Sequence, residues 1–268
     1  MTYCVGILVD EGLVLASDSR THAGVDNYAT FCKMTVFEKP GERVIVLLSS
    51  GNLAGTQAVI SLLQQPSEAI SESSGLTLWN ARSMFDVAAV VGNAVRALER
   101  RDKAYVEQEG VAFNASFIIG GQIAGERPRL FRTFAEGNFI ESGDSTLFFQ
   151  TGEAKYGKPI IDRVIEPSTD LSDVVKCVLV SFDSTMKSNL SVGMPIDLVY
   201  IQRDQCRISG RHRFREDDAY FITVRRAWGD GVRRVFHELP SAPLFERETG
   251  VEGDRSPAGR IVGADGGK

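Results

Sequence analysis

Thr2 directly follows the initiating methionine, and a small residue in that position permits removal of Met1. Removal would set a free α-amino group beside the threonine hydroxyl. Such a pair is a nucleophile with its own base, since an α-amine titrates near about pH 8 and a useful fraction of it is neutral in ordinary conditions. A threonine there is common in intracellular chains, so the chemistry rests on its company. Asp18 ends the apolar run Leu13-Val14-Leu15-Ala16-Ser17, and Lys33 opens a run with Met34, Val36 and Phe37. A lysine so placed is either a solvated edge residue or a partly buried cation, and a buried one needs a carboxylate partner, for which Asp18 is the natural candidate. Ser49-Ser50-Gly51-Asn52 stands between an apolar run and a helical pattern. Backbone N–H groups at such a turn can serve a developing oxyanion, although a tight turn alone would also use Gly51.

Thr2 to Val9 and Leu13 to Ser17 read as a hairpin around Asp10-Glu11-Gly12, which pins the terminus in a sheet and brings Asp18 near Thr2. Thr21 to Thr30 reads as a loop, and Lys33 to Phe37 and Arg43 to Ser49 as strands. Helical spacing follows over Leu53 to Leu63, ending before Pro66, and over Met84 to Val106. A second block of strands covers Ala115 to Gly120, Arg129 to Thr133, Phe139-Ile140 and Thr146 to Thr151. Gly152 to Ile165 has helical character interrupted by Gly157 and Pro159, and Asp170 caps an amphipathic helix through Phe182. Pro195 to Arg203 is a strand, and Phe214 to Leu239 carries apolar residues three or four apart, as one helix would. Residues 246 to 268 are rich in glycine and charge and read as a disordered tail.

The chain has 268 residues, 43% hydrophobic and 24% charged, with a formal net charge of −5. It carries no basic field for nucleic acid or a membrane surface, and no run of membrane-spanning length, so a soluble cytoplasmic protein is expected. Four cysteines lie far apart without a CxxC pair, and there are three histidines, so neither a metal site nor a disulfide framework is expected, nor any cofactor.

Thr2, Val5-Gly6, the strand from Leu13 to Arg20, Lys33 and Ser50-Gly51 together resemble proteasome β-type subunits of the N-terminal nucleophile hydrolase superfamily. Within that family the chain is most similar to the bacterial ancestral β-subunit (Anbu) branch, through the absence of a propeptide, the segment Gly152 to Pro159 and the extension Tyr220-Phe221 to Trp228-Gly229. The resemblance covers roughly residues 2 to 205. It implies an α+β fold, a four-layer αββα sandwich over residues 1–210, followed by a helical extension at 211–245. It also implies Thr2 as nucleophile, Asp18 as buried acid, Lys33 as the cation beside the hydroxyl and Gly51 as oxyanion donor. Thr21 and His22 match the edge that pairs with a substrate backbone, and Phe31, Thr35, Ser49 and Leu53 match the first specificity pocket. Ser191 matches a serine that supports the terminal amine. Ser188, however, stands where the family has an aspartate, and the remaining serine position falls near Gly152 or Glu153.

The function implied is a threonine-type endopeptidase acting on peptides or unfolded proteins, within a ring or open helical homo-oligomer and with or without an unfoldase. Phe214 to Leu239 is a candidate contact. Two alternatives stand beside it, a structural assembly subunit with weak or no catalysis, and a small-amide hydrolase or acyltransferase on the same fold.

Overall fold

Tyr3, Val5, Ile7 and Val9 enter one apolar cluster while Cys4 enters another, because successive residues of a strand face opposite sides. A computed structural model describes residues 2–22, 28–64, 75–108, 114–242 and 244 of the chain. In it, β1 (Tyr3–Val9) turns back as β2 (Gly12–Asp18), with Cys4 opposite Ser17 and Val9 opposite Gly12. The expected hairpin is therefore present. Every residue of β2 is buried, so the strand is covered on both faces.

The hairpin is the centre of an antiparallel sheet, ordered β10-β1-β2-β11-β12, that adds β10 (Phe148–Gly152), β11 (Ile196–Gln202) and β12 (Gly210–Phe214). A second five-stranded antiparallel sheet runs in chain order: β5 (Met34–Lys39), β6 (Arg43–Gly51), β7 (Ala115–Ile123), β8 (Arg129–Thr133) and β9 (Phe139–Glu141). Between β2 and β5, the short strands β3 (Arg20–His22) and β4 (Tyr28–Thr30) pair as a ribbon of their own.

Three cores define the layers. Leu13, Leu15, Val44, Val46, Leu48, Ile118, Leu130 and Val199 fill the space between the two sheets. Helices α1 (Leu53–Gln64) and α2 (Met84–Gln108) cover the outer face of the second sheet through Val59, Val87 and Val91 against Ile45, Leu47 and Phe117. Helices α3 (Lys158–Val164) and α4 (Leu171–Ser188) cover the first through Ile161, Val174, Val178 and Phe182. The result is the αββα sandwich expected from the resemblance.

Three local expectations change. Thr21 to Thr30, read as a loop, is strand at both described ends, where Thr21 pairs with Ala29 and His22 with Tyr28. Gly157 and Pro159 do not interrupt a helix running from residue 152; they begin a shorter one, α3, where proline in the first turn loses no hydrogen bond. Phe214 is the last residue of β12, opposite Ile196, and the final helix α5 (Ala219–Glu238) starts later, with Asp218 Oδ1 accepting the Phe221 N–H at 2.9 Å. Phe214 and Phe221 reach the same core from a strand and a helix, which imitates helical spacing in the sequence. By internal contacts the chain separates into units Met1–Trp228 and Gly229–Lys268. The described part of the latter holds the end of α5, with ion pairs Arg233–Asp230 and Arg234–Glu238. The proposed tail at 246–268 lies outside the described residues, as do residues 23–27.

Phe182 is fully buried and its ring centroid lies 4.6 Å from that of Tyr3. Phe182→Ala is expected to cost roughly 3–5 kcal/mol of stability by the cavity it leaves. A denaturant midpoint within error of the parent protein would show that the helix layer does not anchor β1.

Candidate active site

Thr2 is fixed by the backbone on both sides. Its carbonyl oxygen accepts the Glu153 N–H at 2.7 Å, and the next residue, Tyr3, donates its N–H to Asp18 Oδ1 at 3.0 Å. Gly152 adopts φ +81°, and a Cβ there would lie 1.8 Å from the Thr2 carbonyl oxygen, so only glycine lets the end of β10 pass this close. The Tyr3 hydroxyl accepts from Gln150 Nε2 at 2.6 Å and lies 3.1 Å from Ser181 Oγ. Burial pushes that phenol far up, so it stays neutral and serves as an anchor.

Lys33 is the buried cation, not a solvated edge residue. Its Nζ donates to Asp18 Oδ1 and to the Arg20 carbonyl oxygen, each at 2.7 Å, with 6% of the lysine and none of the aspartate side chain exposed. Burial raises the Asp18 carboxyl above the usual range, against the pull of the Lys33 ammonium and the Tyr3 N–H, both of which favour the charged form.

Gly51 ends β6 at φ +110°, where an added Cβ would lie 2.1 Å from the Asn114 carbonyl oxygen. Asn52 caps α1, its Oδ1 accepting the Gly55 N–H at 3.0 Å, while its own N–H is taken by Asn114 O at 2.6 Å. The expected strand, glycine turn and helix are thus in place beside Thr2.

These parts meet in one cleft of about 590 Å3. The first sheet lends it Thr2, Thr151 and Gly152; the second lends Ser49, Ser50, Gly51, Ser116 and Arg132, with Lys33 and Thr21 alongside. Ser50 Oγ and Thr151 Oγ1 share a hydrogen bond of 2.7 Å from one sheet to the other.

Of the remaining expected residues, Ser49 and Leu53 border the cleft, whereas Phe31 and Thr35 do not. Thr21 borders it with a buried Oγ1 that has no hydrogen-bond partner among the described residues. His22 ends β3, its backbone opposite Tyr28. Ser191 stands back from the cleft and donates both its N–H and its Oγ–H to Asn189 Oδ1, at 2.9 and 2.5 Å. Asn189 Nδ2 in turn donates to Glu153 Oε2 at 2.8 Å, so Ser191 is linked through Asn189 to the residue whose backbone N–H holds Thr2. Ser188, at the end of α4, is exposed.

Arg132, Ser116, Asn114 and Thr56 also border the cleft and are absent from the sequence-based set. Strand alternation could have placed Ser116 and Arg132 on the inward face; nothing in the sequence says that this face ends in a cleft. Among the described residues no group of three or more His, Cys, Asp and Glu is placed to hold a metal ion, and no helix is long and apolar enough to cross a membrane.

No family model and no curated protein matches the chain. Among solved structures, Anbu (ancestral beta-subunit) from Yersinia bercovieri is 44% identical with a TM-score of 0.82, the match covering 90% of this chain and 100% of that one. A Gly-1 mutant of Anbu from Hyphomicrobium sp. strain MC1 is 49% identical with a TM-score of 0.82, covering 90% and 99%. The helical assembly of the Anbu complex from Pseudomonas aeruginosa gives 45% identity and a TM-score of 0.84, covering 91% and 100%.

Removing the cation from the buried pair gives a direct test of the site's electrostatics. Lys33→Met leaves the Asp18 carboxylate without its counter-charge and is expected to cost about 3–5 kcal/mol at neutral pH. A raised carboxyl pKa makes proton binding stabilising, so the variant should regain stability as pH falls through the raised Asp18 value. Denaturation midpoints that fall in parallel for both proteins on acidification would refute this.

Proposed function

We propose that this chain, which belongs to the Anbu (ancestral beta-subunit) family, is a threonine peptidase that cleaves peptide or protein amide bonds through an acyl-enzyme on Thr2. The observation that carries the proposal is that Thr2, Gly51 and Lys33, the last paired with Asp18 buried behind it, border a single cleft.

Once Met1 is removed, the neutral α-amine of Thr2 accepts the proton of its own hydroxyl, directly or through a water. The oxygen attacks the substrate carbonyl carbon, and the electron pair of the C=O bond moves to oxygen. Lys33 stabilises the negative charge that develops on the threonine oxygen, and Asp18 holds the lysine in place and compensates it. The Gly51 N–H receives the tetrahedral oxyanion. Collapse of the intermediate breaks the C–N bond, the leaving amine takes the proton from the α-ammonium, and an ester remains on Thr2. Water then attacks that ester, its proton passing to the same α-amine and on to the threonine oxygen. Substrate lies extended along β3 at Thr21 and His22, as an added strand.

Glu153 takes the part of the carboxylate missing at Ser188. Its backbone N–H already holds Thr2, and its side chain is oriented by Asn189 and, behind it, Ser191. A carboxylate beside the terminus favours the ammonium form and aims it. For the chain as a whole we propose self-association, with exposed Tyr220, Ile222 and Trp228 of α5 as contacts. A reducing cytoplasm suits its four free cysteines. Ser188 in place of an acid favours a second reading, a subunit that assembles but turns over weakly.

Intact mass after treatment with a β-lactone or epoxyketone separates the two. The peptidase should lack Met1 and carry one adduct, and Thr2→Ala should lose both adduct and hydrolysis while keeping its assembly size; a retained Met1, or hydrolysis that survives Thr2→Ala, removes Thr2 as nucleophile. In Glu153→Gln the acid limb of the kcat/KM profile should move to lower pH, because an α-ammonium without a neighbouring carboxylate releases its proton more readily. An unmoved limb would exclude Glu153 from supporting the amine.

A further inference from the structure

Arg132 occupies an unusual place for a charged side chain. On β8, Leu130 faces the core between the two sheets, so Arg132, two residues on, projects from the same face. It lies opposite Ile118 of β7, another member of that core. Arg132 is half-buried, and a charge turned toward a core is ordinarily paired. Yet none of the ion pairs among the described residues includes Arg132, and its buried Nε has no hydrogen-bond partner among them.

The guanidinium is nevertheless held. Its Cζ lies 5.1 Å from the centroid of the Phe134 ring, a cation–π contact that engages the guanidinium without using up its N–H donors. That edge has somewhere to act, because Arg132 borders both the Thr2 cleft and a neighbouring one of about 440 Å3. The other side-chain cations bordering these clefts are engaged, Lys33 with Asp18 and Lys158 with Asp162. Arg132 is therefore the cation available to an incoming anion, in a protein whose net charge of −5 otherwise disfavours one.

We propose that Arg132 is a specificity-determining residue that receives a substrate carboxylate by charge-assisted hydrogen bonds while the scissile amide lies at Thr2. This rests on the cleft being a peptide site, as proposed above. A carboxylate matches the planar fork of the guanidinium, and it comes from either an acidic side chain or the carboxyl end of a peptide.

Binding decides the matter independently of turnover. Three N-acetylated peptides of equal length are titrated calorimetrically against full-length Thr2→Ala protein: a neutral peptide amide, the same peptide amide with one internal glutamate, and the neutral peptide with a free carboxyl end. At least one anionic peptide should bind about tenfold tighter than the neutral one. Which one does so identifies the source of the carboxylate. The advantage should vanish in Arg132→Gln and survive only in part in Arg132→Lys, which keeps the charge but loses the fork. Equal binding of all three peptides, a preference unchanged by Arg132→Gln, or no binding at all would overturn the proposal. Should Arg132→Gln fail to fold, a full preference retained by Arg132→Lys overturns it as well. Failure of the peptidase reading would appear separately, as missing turnover and adduct on unmodified Thr2.

Discussion

One carboxylate oxygen organises the candidate site. Asp18 Oδ1 receives both the Tyr3 N–H and the Lys33 ammonium, so it ties the start of β1, the end of β2 and the entry to the second sheet to a single point. A charge with no exposure to water is tolerable only while those donors stay in place. The hairpin register, the buried Tyr3 ring and the Arg20 carbonyl that takes a second Lys33 bond hold them there. The pair is thus poor evidence for stability and good evidence for a position that is held at a cost. Removing either member would leave the other buried without its counter-charge.

The cleft follows from where strand alternation runs out of hydrophobic partners. Leu48, Ile118, Leu130 and Phe149 face the space between the sheets, and the residues two steps further on, Ser50, Ser116, Arg132 and Thr151, are polar or charged. One periodicity therefore builds a dry core and, at its open end, a hydrophilic wall. No separate loop has to be added to make the site.

What was legible in the sequence is what local chemistry sets. The hairpin, the Gly51 turn and the Asp18–Lys33 partnership follow from apolar runs, glycine and the need of a buried cation for a carboxylate. What was hidden depends on pairings distant in sequence. Phe214 mimicked a helical position because β12 and α5 present their aromatics to the same core. Glu153 could be named from the sequence as a carboxylate near the missing acid, but its backbone reaches Thr2 only because Gly152 lets β10 pass so close to the terminus, and its link to Ser191 passes through Asn189. Arg132 looks in sequence like any strand arginine; what sets it apart is that no ion pair reaches it among the described residues, which only three dimensions reveal.

The pairing of β1 with β10 also has a consequence in time. Tyr3 lies opposite Gly152, so the terminus is not in place until the chain through residue 152 has been made and its first and tenth strands have met. Contacts so far apart in sequence form late, since closing the loop between them comes before any gain from the contact. During synthesis the threonine is an ordinary solvated residue, with its cation, its carboxylate and the opposite wall of the cleft not yet gathered around it. The topology itself acts as a delay, keeping the candidate site from existing inside a half-made chain.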